Sequence, residues 1–391
     1  MIRYALKNLW TQPVRSALCI VGISIAIVGV VCIFSFSAGV KSTVNSAIHL
    51  VDGVVILEKN QPRPSLSSVP VRLEQTLEQS DRIGNVVPWI WTIPGSVNNE
   101  PLIRRDLMMP ELLGGVDVDD LQHQQHPHLY QRTLVSGRFL TTGDQRKIVI
   151  SELLSDRHDV QVGEDLPIDG TSYEVIGLYN TGNQIMNMAI VLPMSEARSK
   201  RNLSDDHVSD LYVEPVEGMS REELIDQIES VLLADDKRAL EKWDVRSRTE
   251  WEGDFSDMMN EVDTLLFLIS SLAVIVGTVG IINTMLMSIT ERTSEFGILI
   301  ANGWSRSNIV QLVLLESTIL GIISGVTGIG IGWVAVKVVD RMLDLTIQSA
   351  TPLSLLSYCF LVAVFIGILG GVYPAYRAAK KHPIDAIRSV R

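Results

Sequence analysis

Four long apolar stretches divide the chain, one near its beginning and three in its last third. They cover residues 16–40, 264–290, 317–336 and 353–376, and none contains a charged side chain. A helix rises about 1.5 Å per residue, so roughly 20 residues cross the ~30 Å hydrocarbon core of a bilayer. The pattern therefore predicts a membrane protein with four transmembrane helices and a large polar insert, residues 41–263, between the first and the second.

The first stretch has one alternative interpretation, a cleaved signal peptide, because Arg3, Lys7 and Arg15 precede it. Its apolar run is longer than the roughly 7–15 residues of such peptides, and no clear small-residue cleavage site follows. A transmembrane helix is the favoured interpretation.

Positive charge in the short flanks predicts the orientation. Residues 1–15 and 377–391 are rich in Lys and Arg, which remain on the cytoplasmic side of a membrane. Both termini and the 291–316 segment are therefore predicted to be cytoplasmic, in a bacterial inner membrane, with 41–263 and the short 337–352 loop outside. The chain has a net charge of -12 although both flanking parts are positive, so the insert is strongly acidic and nucleic-acid binding is excluded.

The insert mixes strand and helix patterns. Short β-rich runs occur at 54–57, 86–93, 147–150 and 173–178, separated by the turn sequences Asn98-Asn99, Thr142-Gly143-Asp144 and Asp169-Gly170. Helical patterns occur at 73–80 and 220–233, the second with Ser220 and Glu223 spaced as a capping box. The alternation predicts an α+β domain.

No arrangement in the chain is typical of an active site. A phosphate-binding glycine loop and the common hydrolase motifs are missing, so we expect a non-catalytic chain without a cofactor of its own. The densest metal candidate is His123, His126 and His128, but no nearby Cys completes a ligand set, and a solvated loop is favoured. The cysteines Cys19, Cys32 and Cys359 all lie in apolar stretches and are expected to be packing residues.

Small residues and helical periodicity indicate how the helices pack. Glycines spaced for close helix approach are Gly321, Gly325, Gly328, Gly332, Gly367 and Gly371. They predict packing within the chain at least as readily as a dimer face. At the two junctions of the insert, residues at helical spacing predict a stalk, with an ordinary interfacial turn as the alternative; they are Val40, Val44, Ile48, Phe255, Met259 and Val262.

The segment after the second stretch is predicted to form a short amphipathic helix that ends near Gly303. Its charged side is Glu291, Arg292 and Glu295; its apolar surface is Phe296, Leu299 and Ile300, with Trp304 just beyond. Such a surface suits either the lipid interface or a groove on a partner, and the composition does not choose. Glu316, at the border of the third stretch, is expected to reach water.

This segment carries a family resemblance. Its Glu-Arg-x-x-Glu-Phe-Gly-Ile-Leu-x-Ala-x-Gly pattern, residues 291–303, resembles the MacB/FtsX-like permeases of ATP-binding-cassette (ABC) systems. Further blocks similar to that family are residues 5–10, 137–139 with Asp144, 315–317 and 371–388.

The resemblance implies a four-span half-transporter that pairs with a second permease copy, identical or related, and with cytoplasmic ATPase subunits that bind ATP and Mg. The residues it implies in ATPase coupling are Glu291, Arg292, Glu295, Phe296, Gly297, Leu299 and Trp304. The stalk is then expected to carry their motion to the outer domain, a mechanism called mechanotransmission. Ile300 departs from the family, which commonly has Arg there.

Export or efflux of a substrate is the favoured function. The alternatives are an FtsX-like regulator of a cell-wall hydrolase, a lipoprotein-releasing permease, and a sensor or anchor without an ATPase. The substrate, and whether a periplasmic membrane-fusion adaptor takes part, stay open.

Overall fold

The computed structural model describes residues 1–50, 53–61, 63–101, 110–121, 129–216, 218–342 and 348–380. The chain divides into two compact units. The membrane unit is Met1–Ser42 together with Met258–Arg391, and the inserted unit is Thr43–Asp257. The apolar stretches thus fall in one unit and most of the polar insert in the other.

Helices make up most of the described membrane unit and cover parts of the inserted unit. In chain order they are α1 (Ile2–Thr11), α2 (Pro13–His49), α3 (Arg72–Glu78), α4 (Val118–Leu121), α5 (Leu129–Arg132), α6 (Glu152–His158), α7 (Met194–Arg201), α8 (Arg221–Asp235), α9 (Ala239–Lys242), α10 (Arg248–Glu291), α11 (Thr293–Ala301), α12 (Arg306–Met342) and α13 (Leu353–Lys380). Among them α2, α10, α12 and α13 are long and apolar enough to cross a membrane. The prediction of four spans, one before the insert and three after it, is confirmed.

Two of the spanning helices are much longer than their apolar stretches. Helix α2 continues to His49, and α10 already begins at Arg248. The predicted stalk residues lie on these helices: Val40, Val44, Ile48 and Phe255 are half-buried, Met259 is buried and Val262 is exposed. Their role in carrying motion stays a prediction.

The inserted unit is built around a mixed β-sheet. Its strands are β1 (Val54–Glu58), β2 (Val69–Pro70), β3 (Val86–Thr92), β4 (Ser96–Val97), β5 (Glu100–Pro101), β6 (Leu112–Val116), β7 (Leu134–Gly137), β8 (Lys147–Ser151), β9 (Asp165–Ile168), β10 (Thr171–Tyr179), β11 (Ala189–Pro193), β12 (His207–Val208), β13 (Asp210–Val213) and β14 (Trp243–Arg246). The order in the main sheet is β14-β1-β13-β3-β6-β11-β8-β10-β9-β4-β5, and β7 pairs with β10. Strands β2 and β12 form a separate two-stranded sheet. Strand pairs β6–β11 and β8–β10 are parallel, whereas β1 and β3 pair antiparallel with β13.

Both faces of this sheet are covered. Successive side chains of a strand point to opposite faces, and on β8 Ile148 and Ile150 belong to one buried cluster while Val149 belongs to another. Leu73 of α3 and Leu224 of α8 lie in the first cluster. The sheet with its helices confirms the predicted α+β class.

The structure confirms the capping box and two of the turns that the sequence of the insert predicts. Ser220 accepts a hydrogen bond from the Glu223 backbone N–H, and the Glu223 side chain accepts one in return, which forms the predicted capping box of α8. At the predicted turns Asn98-Asn99 and Asp169-Gly170, all four residues have positive φ, as two-residue hairpin turns require.

Candidate functional site

The predicted coupling segment joins α10 to α12 at one end of the membrane unit, here called the α11 end. Helix α10 ends at Glu291, Arg292 precedes the first turn of α11, and α11 ends at Ala301. Gly303 has φ +93°, a left-handed conformation that glycine adopts without strain. The predicted stop at Gly303 is confirmed, but Glu291 belongs to α10 and not to the short helix.

The apolar side of α11 is covered by the chain itself. Phe296 is only 3% exposed and belongs to the same buried cluster as Ala5 of α1 and Leu312 of α12. Three further coupling-segment residues pack against this cluster: Leu299, Ile300 and Trp304. Gly297 is buried as well. The expectation of an apolar surface free for lipid or a partner is therefore wrong, because packing against α1 and α12 was not visible in the local pattern.

A different face of α11 is open. Glu295 and Ile298 are exposed and lie three residues apart, which places them on one side of this helix, and the exposed Glu291 lies just before it at the end of α10. The Ile298 residue is 57% exposed, and the Glu295 side chain 60%. This stripe is the surface of the coupling segment that another molecule can contact.

Beneath the open face lies a buried polar network. Arg292 and Glu316 are 8% and 4% exposed, and Arg292 Nη1 donates to Glu316 Oε1 and Oε2 at 3.2 and 3.1 Å. Asn8 Nδ2 of α1 donates to Glu316 Oε1 at 2.6 Å. The expectation that Glu316 reaches water is wrong, because α12 already begins at Arg306 and the packed helices enclose Glu316.

A second set of polar contacts continues this network. Arg15 at the start of α2 forms an ion pair with Glu291 at 2.6 Å. Gln12 Oε1 accepts hydrogen bonds from Arg15 Nη1 at 2.7 Å and from Ser288 Oγ at 3.2 Å. Polar side chains therefore link α1, α2, α10, α11 and α12 at the α11 end.

Sequence reasoning missed Asn8, Gln12 and Ser288. The available signal was that Asn8 on the basic helix α1 is polar but uncharged, and that Gln12 follows four residues later, just after α1 ends. Their partners lie far away in the sequence, so the spacing alone could not name them.

The predicted packing glycines lie at helix contacts within the membrane unit. A Cβ at Gly321 would meet Gly367 Cα of α13 at 3.1 Å, and one at Gly328 would meet Ile27 Cβ of α2 at 2.9 Å. The others make similar contacts: Gly325 with Ala363, Gly332 with Val31, Gly367 with Ser317 and Gly371 with Ser317. These contacts agree with packing inside one chain.

The metal and cysteine expectations concern other parts of the chain. Across the described ranges no group of three His, Cys, Asp or Glu side chains could hold a metal ion. The histidine cluster, His123, His126 and His128, lies outside the described residues. Cys19 and Cys359 are buried and Cys32 is half-buried, each as a free thiol within a spanning helix.

In the inserted unit, the family-like Arg138 and Asp144 form an ion pair that closes a turn. Arg138 Nη1 and Nη2 donate to the two carboxylate oxygens at 2.6 and 2.8 Å, and the Thr141 backbone N–H donates at 2.9 Å. The bond from Arg138 lowers the pKa of Asp144 well below its usual range. A carboxylate so fully occupied stabilises the turn and offers little to a ligand.

Asp210 on β13 shows the opposite effect. It is 4% exposed and its Oδ1 has no hydrogen-bond partner, and this burial raises the pKa of Asp210 to about 8. Nearby Arg201 offsets part of this effect by its charge. Burial therefore favours the neutral form of the Asp210 carboxyl group.

The fold and the site define a multi-pass membrane protein with a large α+β domain inserted after its first span. The family of the MacB-like periplasmic core domain matches residues 16–231, and the FtsX-like permease C-terminal family matches residues 267–383. Because the first match covers more than half of the sequence, the chain belongs to the MacB/FtsX-like family of ABC transporter permeases.

Individual relatives are distant but collinear. The chain is 25% identical to the uncharacterized ABC transporter permease YknZ of Bacillus subtilis, over 99% of this chain and 98% of the relative. It is 23% identical to the pyoverdine export ATP-binding/permease protein PvdT of Pseudomonas fluorescens and 25% identical to the macrolide export ATP-binding/permease protein MacB of Bdellovibrio bacteriovorus. It spans only 59% and 60% of those two proteins.

One solved structure that matches part of this chain is the periplasmic region of MacB from Actinobacillus actinomycetemcomitans. The sequence identity is 13% and the TM-score 0.39, covering 54% of this chain and 95% of that structure.

Proposed function

We propose that a separate ABC ATPase drives this permease, and that movement of α11 is passed through the membrane helices to the inserted domain during export of a substrate. ATP and Mg are bound by that ATPase. The permease works as a pair, with a second identical or related copy.

One observation carries this proposal: α11 has one open face and one embedded face. Glu295 and Ile298 are exposed, whereas Phe296 on the same short helix is buried among the membrane helices. A partner that presses on the open face therefore meets a helix already packed against α1 and α12. Force applied there is transmitted to the spans, since packed helices move as bodies.

Two features support the assembly. In the apolar part of α10, only 11% of the residues are buried, compared with 33–39% for α2, α12 and α13. The exposed surface of α10 can therefore be covered by a second copy or by lipid. The names of PvdT and MacB describe export proteins with an ATP-binding part, which favours export over regulation of a wall hydrolase.

The test is to place a charge on the open face. We expect Ile298→Asp to abolish binding of the ABC ATPase and the stimulation of ATP hydrolysis when both proteins are co-expressed and purified in lipid nanodiscs. The matched control is Leu66→Asp in the inserted unit, because Leu66 is also 57% exposed. Unchanged ATPase binding by Ile298→Asp would refute the docking assignment.

Orientation has a separate test. All three native cysteines lie in the spans. A single cysteine added outside the spans therefore reports on which side of the membrane its segment lies. On intact spheroplasts, a membrane-impermeant maleimide should label Ser199→Cys in the inserted unit but should label Ser305→Cys beside α11 only after permeabilisation. The reverse pattern would place the inserted domain in the cytoplasm and overturn the proposal.

A further inference from the structure

The buried carboxylate of Glu316 is the centre of the network at the α11 end. It accepts from Asn8 of α1 and from Arg292 before α11, while itself lying on α12. A buried charge is strongly unfavourable unless it is paired and hydrogen-bonded. Separation of these three elements would leave Glu316 or Arg292 buried without a partner, so the network resists their separation.

Arg292 holds the beginning of α11 in place through contacts with three different side chains. Its Nε donates to Glu295 Oε2 at 2.9 Å, its Nη1 donates to Glu316, and its guanidinium carbon lies 5.2 Å from the centre of the Phe296 ring. A guanidinium is planar with donors in a rigid fork, so these contacts define both the position and the orientation of the group.

The network and the open face meet at Glu295, which accepts from Arg292, but Ile298 and Glu316 lie apart. Ile298 takes no part in the polar contacts, and Glu316 is hidden from any partner that touches α11. Substitutions at Ile298 and at Glu316 can therefore be studied separately.

We propose that Glu316 is a positioning residue that makes α11, the start of α12 and α1 move together when an ATPase displaces α11. This inference rests on the proposed function, because it assumes a partner on the open face. Glu316 does not touch that partner; it acts through Arg292 and Asn8. Loss of its charge should leave docking intact while the movement no longer reaches the spans.

The test compares docking with stimulation. For Glu316→Gln in the full chain, we expect wild-type ATPase binding but about tenfold lower stimulation of ATP hydrolysis, within the usual range of coupling between sites. The melting temperature should fall, because buried Arg292 loses its charged partner. The exchange Arg292→Glu with Glu316→Arg should recover part of the stimulation. The exposed Gln311→Ala on α12 is the control and should behave as wild type.

The outcomes separate this inference from the proposed function. Wild-type stimulation by Glu316→Gln, while Ile298→Asp abolishes ATPase binding, would overturn the role of Glu316 and leave the proposed function standing. A fall of melting temperature, binding and stimulation in parallel, without recovery in the exchanged pair, would reduce Glu316 to a stabilising residue and also overturn the inference. Unaffected binding by Ile298→Asp would instead refute the proposed function.

Discussion

The inserted unit and the membrane unit are stabilised by different means. In the inserted unit, aliphatic side chains such as Leu113 and Ile148 are fully buried between sheet and helices, where removal of apolar surface from water stabilises by about 25 cal/mol per Å². In lipid that gain is small, and close backbone approach and polar contacts hold helices together. The membrane unit accordingly relies on contacts such as Gly321 with Gly367 and Arg292 with Glu316.

The largest expected effect is a cavity in the inserted unit. We expect Leu113→Ala to lower the free energy of unfolding by about 2–5 kcal/mol. Leu320→Ala on α12, at a residue that is also buried, should cost clearly less because lipid surrounds the helices in both states. Hydrogen exchange of β6 and α12 amides in the full chain measures both, and equal losses would contradict the comparison.

The next effect concerns glycine in the membrane unit. Gly321→Leu places a side chain against the α13 backbone and should destabilise by about 1–3 kcal/mol. Gly330→Leu on the same helix is the control, since a Cβ there meets nothing within 4 Å. The exposure of Cys359, buried in α13, to a thiol-reactive fluorophore on heating reports the loss. Equal melting temperatures for the two variants would show that the glycine contact does not matter.

A charge contact in the inserted unit ranks third. Asp144→Asn should cost about 0.5–1.5 kcal/mol at pH 7, the usual net contribution of a hydrogen bond, because the Arg138 side chain is 46% exposed and solvent weakens the pair. Because the pKa of Asp144 is lowered in the folded state, its contribution is present above the ordinary Asp value of about 4 and is lost as the pH falls below it. Hydrogen exchange of β10 amides at a series of pH values should show the two proteins converge in acid. A difference that persists there would point to a cause other than charge.

The smallest effect is expected for an ion pair between α2 and α10, away from the α11 end. Lys41 and Ser37 both bond to Asp263, but the Lys41 and Asp263 side chains are 34% and 36% exposed. Lys41→Ala should therefore cost less than about 1 kcal/mol in the same thiol assay. Lys337→Ala is the control, and a loss as large as that of Gly321→Leu would show that polar contacts dominate this unit.

The sequence predicted features that depend on neighbours in the chain. The four spans, the capping box of Ser220 and the turn at Asp169-Gly170 were visible because each is set by local composition and spacing. The predictions for Phe296 and Glu316 were wrong because their surroundings come from α1, far away in the sequence. Local amphipathicity predicted the short helix α11 but assigned its open side to the wrong residues.

The central claim is that the open face of α11 meets an ATPase, and a photo-crosslinking amino acid at Ile298 tests it most directly. In cells, illumination should join this chain to an ABC ATPase, whereas the same amino acid at Leu66 should not. Crosslinks from residue 298 only to lipid or to a second permease copy would contradict the account.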